Sequence, residues 1–82
     1  MSRKLRVLSG KDIVKILEQY NFVQTRSVGS HTRMTCKLSD TSFHITIPLH
    51  KEIKKGTLVG IIRELEQCIG KEKLEKDFYT EK

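Results

Sequence analysis

Eighty-two residues leave room for one compact unit around one core, and exclude both a second domain and a large cavity enclosing a cofactor. Hydrophobic residues at 37% and charged residues at 32% match ordinary folded chains, which argues against disorder and against a coiled-coil rod. Sixteen Lys and Arg against ten Asp and Glu leave a formal charge of +6, so an anionic partner is expected.

Residues 1–8 form a basic arm in which Arg3, Lys4 and Arg6 interleave with Leu5, Val7 and Leu8, compatible with a frayed arm or a short edge strand. Ser9-Gly10-Lys11-Asp12 carries a helix-start signal: a hydroxyl that caps free amide groups, with an acid where the helix end is positive. Ile13, Ile16, Leu17 and Tyr20 then recur at the spacing of one buried helical stripe, and Asn21 is a plausible stop. Residues 22–28 are rich in β-formers and run into Gly29-Ser30, a pair suited to reversing the chain. From His31 to Leu38 the residues alternate, with His31, Arg33, Thr35 and Lys37 on one face and Thr32, Met34, Cys36 and Leu38 on the other. Ser39 to Ser42 supplies another turn, and Phe43 to Ile47 alternates until Pro48 removes a ladder donor.

A basic loop over residues 49–56 leads to Thr57, which is expected to open a second helix buried through Leu58, Ile61, Ile62, Leu65, Cys68 and Ile69 and broken by Gly70. Leu74 and Phe78 mark a short C-terminal helix and tail over residues 71–82, ending in a frayed terminus. The expected class is α+β: one domain over residues 1–82 in the order α-β-β-β-α, both main helices on one face of a three-stranded antiparallel sheet. Met34, Cys36, Phe43, Ile45 and Ile47 then face the core, and the opposite sheet face is wet.

Charge is unevenly spread. Residues 1–58 hold eleven basic and four acidic side chains, whereas residues 59–82 hold five and six, so an anion site belongs to the first two-thirds of the chain. Cys36 and Cys68 are too few and too far apart for a metal knuckle, and no secretory apolar segment is visible at the N-terminus. A cytoplasmic protein with reduced thiols is the expectation. No run of about 18 apolar residues exists, so no membrane partner is expected.

His31 opens a strand just after a turn, at the sheet's edge, where a substrate can reach its ring. An imidazole titrates at about pH 6.5 and can therefore accept a proton near neutrality. RNA carries its own nucleophile in the 2′-hydroxyl, so cleavage asks of a protein only that it remove that proton and stabilise charge on the phosphate. Arg26, Arg33, Lys54 and Lys55 can serve the second need, and Arg33 and Lys37 serve RNA binding as well. No metal and no cofactor are required by this chemistry. The ordinary alternative is that a histidine at a turn and scattered cations are merely solvated. His44 faces the wet side as an ordinary strand residue. His31, His44 and His50, spaced by thirteen and six residues, match no short metal signature. Lys54-Lys55-Gly56-Thr57 at a helix start favours anions without being a Walker loop.

Gly29-Ser30-His31 opening one strand, Ile45-Thr46-Ile47-Pro48 closing the next, His50, and Lys54-Lys55-Gly56-Thr57-Leu58 leading into Ile61-Ile62 together resemble the HicA toxin family of mRNA interferases. The resemblance covers about residues 10–76 and implies a double-stranded-RNA-binding-domain-like fold. It implies a ribonuclease acting on single-stranded messenger RNA with His31 as the catalytic histidine, Gly29 and Ser30 shaping its turn, and Ser30 and His50 joining the RNA-contacting set. It also implies a HicB-type antitoxin partner, with no DNA bound by this chain alone. Two departures stand out: the arm over residues 1–8 is added, and Thr32 stands where a second histidine is common. A non-catalytic RNA-binding module using the same basic face is the alternative; an adaptor without RNA is the third.

Overall fold

The structure, a computed structural model, describes residues 3–81. Of the predicted arm and tail, Met1, Ser2 and Lys82 lie outside the described residues. The element order is β1 (Arg3–Leu5), α1 (Gly10–Glu18), β2 (Val23–Val28), β3 (His31–Lys37), β4 (Ser42–Pro48), α2 (Lys55–Leu65), α3 (Lys71–Phe78) and β5 (Tyr79–Glu81). The predicted α+β class holds: β2-β3-β4 form a three-stranded antiparallel sheet in which β3 is the middle strand.

α1 starts where its sequence signal places it. The Ser9 hydroxyl accepts from the Asp12 amide at 3.1 Å, and the Asp12 carboxylate accepts from the Ser9 amide at 3.0 Å. The amide and the hydroxyl of Ser9, in that order, hold the Asp12 carboxyl below its ordinary range. Ile13, Val14, Ile16 and Leu17 are buried, and Asn21, with φ 70°, takes the left-handed conformation that ends the run.

α1 and α2 pack against β4, and the core they close includes Met34, Ile45, Ile47, Leu58, Ile61 and Leu65. Cys36 is buried as expected, and Phe43 is half-buried against the same cluster with its ring edge-on to Phe22, 6.2 Å between centroids. Cys36 and Cys68 are free thiols, and burial pushes the Cys68 thiol up.

Three expectations change. α2 starts at Lys55 rather than Thr57 and ends at Leu65; its apolar stripe continues through a turn in which the Ile69 amide donates to the Leu65 carbonyl at 2.8 Å. Gly70 consequently caps the start of α3 instead of breaking α2. Tyr79–Glu81, expected to fray, instead pair antiparallel with Arg3–Leu5 in a second, two-stranded sheet. Leu8 and Phe78 at the roots of this ribbon are buried in the main core. Tyr20 and Arg6 secure the end of α3, the first through a hydrogen bond to the Asp77 carboxylate and the second by donating to the Asp77 carbonyl at 2.7 Å.

Candidate functional site

The Gly29-Ser30 turn joins β2 to β3 as a two-residue hairpin, with Gly29 at φ 58°. Such short turns require a positive φ at a central position, which glycine adopts at no steric cost. The turn is tied to the far side of the sheet: the Leu49 amide donates to the Ser30 carbonyl at 2.6 Å. His31 is exposed and stands opposite Val28 on one side and Pro48 on the other. It therefore occupies the end of the middle strand, not an edge strand, because β3 pairs on both sides.

A bulge at Thr25 decides what surrounds His31. Val23 pairs with Thr35 and Gln24 with Met34, but after the irregularity Arg26 pairs with Arg33, Ser27 with Thr32 and Val28 with His31. Without the extra residue, Arg26 would fall opposite Thr32 on the helix-covered face. With it, Arg26 and Arg33 are direct cross-strand partners on the wet face beside His31. The Thr32 hydroxyl, buried beneath them, donates to the Arg26 carbonyl at 3.2 Å and fixes the shifted register. Arg26, Val28, His31, Arg33 and Thr46 line one shallow pocket of about 180 Å³.

Two like charges set directly opposite on adjacent strands repel one another. A phosphate between them removes that penalty and collects charge-assisted hydrogen bonds from both guanidinium groups. The His31 imidazole lines the same pocket, so the arrangement suits binding and reacting a phosphodiester.

Further along the wet face, a chain of hydrogen bonds spans all three strands. Thr25 and Thr35 hydroxyls are 2.9 Å apart, and the Thr35 hydroxyl is 2.9 Å from His44 Nδ1. One proton order serves all three bonds: the Thr25 hydroxyl donates to the Arg33 carbonyl at 3.4 Å, Thr35 to Thr25, and His44 Nδ1–H to Thr35. In the neutral ring, that leaves His44 Nε2 as an acceptor. His44 opposes Thr35, four residues from His31, or about 13 Å along the strand, so the two rings do not share one phosphorus. The alternation places His44 on this face; only the bulged register reveals its partners.

The remaining predicted residues lie outside the His31 pocket. Lys37 is at the far end of β3, about 20 Å from His31 along the strand. His50 is exposed in the loop after β4, and its carbonyl accepts from the Gly10 amide at 2.9 Å. Lys54 precedes α2 without a side-chain cap, and exposed Lys55 opens it. Ser30 contributes its carbonyl to the turn. Among the described residues, no three His, Cys, Asp or Glu side chains gather where they could hold a metal ion, and no helix is long and apolar enough to cross a membrane.

The family model described as "HicA toxin of bacterial toxin-antitoxin" matches residues 10–67, more than two-thirds of the chain and all of β2, β3, β4 and α2. No curated protein and no solved structure matches the chain significantly.

Proposed function

The chain belongs to the HicA toxin family of bacterial toxin–antitoxin systems, and on that premise we propose that it is an endoribonuclease that cuts messenger RNA with His31 as general base. The observation that carries this proposal is the direct opposition of Arg26 and Arg33 beside His31 in one open pocket. His31 removes the 2′-hydroxyl proton, the freed oxygen attacks the adjacent phosphorus, and the P–O5′ bond breaks. Solvent returns a proton to the departing oxygen, and the upstream fragment ends in a 2′,3′-cyclic phosphate. Arg26 and Arg33 meet the charge that builds on the phosphoryl oxygens. The residues carry this step without a metal or a cofactor.

Lys37, His50, Lys54 and Lys55, with the Ser30 turn, extend the contact to flanking phosphates, each adding salt-sensitive affinity. Exposed Val23 and Val28 border the arginine pair, and an apolar patch beside concentrated charge suits a protein cover. A HicB-type antitoxin seated over this face neutralises the toxin in the cytoplasm by blocking His31.

The test is cleavage of single-stranded RNA in excess EDTA by the wild-type protein and by His31→Ala. Fragments from the first and none from the second, with an unchanged circular dichroism spectrum, are expected. Salt-sensitive RNA retention without fragments from either protein would instead identify a non-catalytic binding module. Equal cutting by both proteins would remove His31 from the chemistry.

A further inference from the structure

The family match begins at residue 10 and ends at residue 67, and the described chain on either side of it folds back on itself. Lys4 pairs with Thr80 and Leu5 with Tyr79, and the Arg6 amide continues the ladder by donating to the Phe78 carbonyl at 2.9 Å. Between this ribbon and the start of α2 runs a groove of about 580 Å³, within the roughly 300–1,000 Å³ common for small-molecule sites. Lys4, Arg6 and Lys55 line it against a single acid, Glu52. Tyr79 and Val7 contribute apolar surface, and Val7 is 77% exposed, with no packing role that accounts for it. Cations interleaved with an aromatic ring and an aliphatic side chain are the composition of grooves that follow a single nucleic-acid strand.

The groove is also joined to the end of the sheet that carries His31. The Ile53 amide donates to the Leu8 carbonyl at 2.8 Å, the Gly10 amide to the His50 carbonyl at 2.9 Å, and the Leu49 amide to the Ser30 carbonyl at 2.6 Å. These bonds link the ribbon's root, the loop after β4 and the His31 turn in series.

We propose that this groove is a second, non-catalytic RNA site that holds the single strand flanking the cleaved bond. The proposal rests on the ribonuclease reading above for its substrate. RNA is favoured over an acidic protein segment because the groove sets cations beside the Tyr79 ring and its root is bonded, through the loop after β4, to the His31 turn.

The experiment uses His31→Ala protein, which leaves RNA uncut, and the same protein carrying Lys4→Ser and Val7→Ser, two exposed positions outside the pocket of His31. Binding of labelled oligouridylates of about six and about twenty nucleotides is measured against salt, since sites of this kind span roughly 4–16 nucleotides. The added substitutions are expected to weaken the long oligonucleotide about three- to ten-fold with a shallower salt slope and to weaken the short one, which cannot span both sites, less. Unchanged binding of the long oligonucleotide overturns the groove, even if wild-type protein cuts RNA. Groove-dependent binding of the long strand supports it, even if wild-type protein cuts nothing, in which case the nuclease reading alone fails. Tighter, substitution-sensitive capture of a hexaglutamate peptide than of the oligonucleotide would assign the groove to an acidic protein segment and overturn the RNA site.

Discussion

Arg26→Gln removes one of the two guanidinium groups that the bulged register sets directly opposite one another. Like charges in this relation cost roughly 0.2–1 kcal/mol. Both side chains are exposed, so water and mobile side-chain ends keep the repulsion to about 0.3–0.5 kcal/mol. At about 4–8 °C of melting temperature per kcal/mol for a chain of this size, Arg26→Gln is expected to melt about 1–4 °C above the wild type in low salt. The gain should vanish near 1 M salt, where charges are screened within about 3 Å. Activity moves the other way. With Arg33 remaining and water present, loss of one charge-stabilising group should cost about 1.4–2.8 kcal/mol at the transition state, a ten- to hundred-fold slower single turnover. Calorimetry at the two salt concentrations and quench-flow cleavage read both quantities, and Arg26→Gln/Arg33→Gln should show non-additive stability. A variant that melts lower in low salt, or cuts as fast as the wild type, would refute the idea that the pair is held in repulsion for a phosphate.

Gly10→Ala should destabilise the fold by about 2–4 kcal/mol in urea unfolding, because its Cβ would run into the Pro48 carbonyl oxygen and meet the Leu49 Cα at 2.7 Å, backbone atoms that cannot yield cheaply. Gly60→Ala, in α2 with open space around it, should instead gain up to about 1 kcal/mol. Burial, then the hydrogen bond to Asp77 and its charge, raise the Tyr20 hydroxyl from 10.0 to about 12. The folded value lies above the unfolded one, so this stabilisation is complete below pH 10 and fades as pH climbs towards 12. Tyr20→Phe should therefore lose about 1 kcal/mol near neutrality, with the gap to wild type closing at high pH. Thr35→Val breaks the chain between Thr25 and His44, and nitrogen NMR should show the neutral His44 ring passing from a fixed Nδ1–H tautomer to a mixture; an unchanged spectrum would contradict the donor order.

Local signals in the sequence were faithful wherever one element explains itself. The Ser9–Asp12 box, the stripe of Ile13, Ile16 and Leu17, the Gly29-Ser30 reversal and the alternation from His31 to Lys37 each depend on residues a few positions apart. What escaped depends on partners distant in the chain. Nothing in Val-Gln-Thr-Arg marks Thr25 as the extra residue, since a bulge is settled by the strand across from it, and the bulge is what brings Arg26 to His31. The pairing of Arg3–Leu5 with Tyr79–Glu81 joins two three-residue segments from opposite ends, too short for any periodicity. Gly70 resembled a helix end because the apolar stripe of α2 outlasts its hydrogen bonding. Lys37 shares a face with His31, as its alternation requires, yet strand length holds it far from the pocket.

The most direct trial of the chemistry is cleavage, in excess EDTA, of an RNA in which one scissile nucleotide lacks its 2′-hydroxyl. If His31 works by deprotonating that group, the modified bond survives while its unmodified counterpart is cut to a cyclic phosphate. Scission of both bonds at equal rates would show that the ribose oxygen is not the nucleophile.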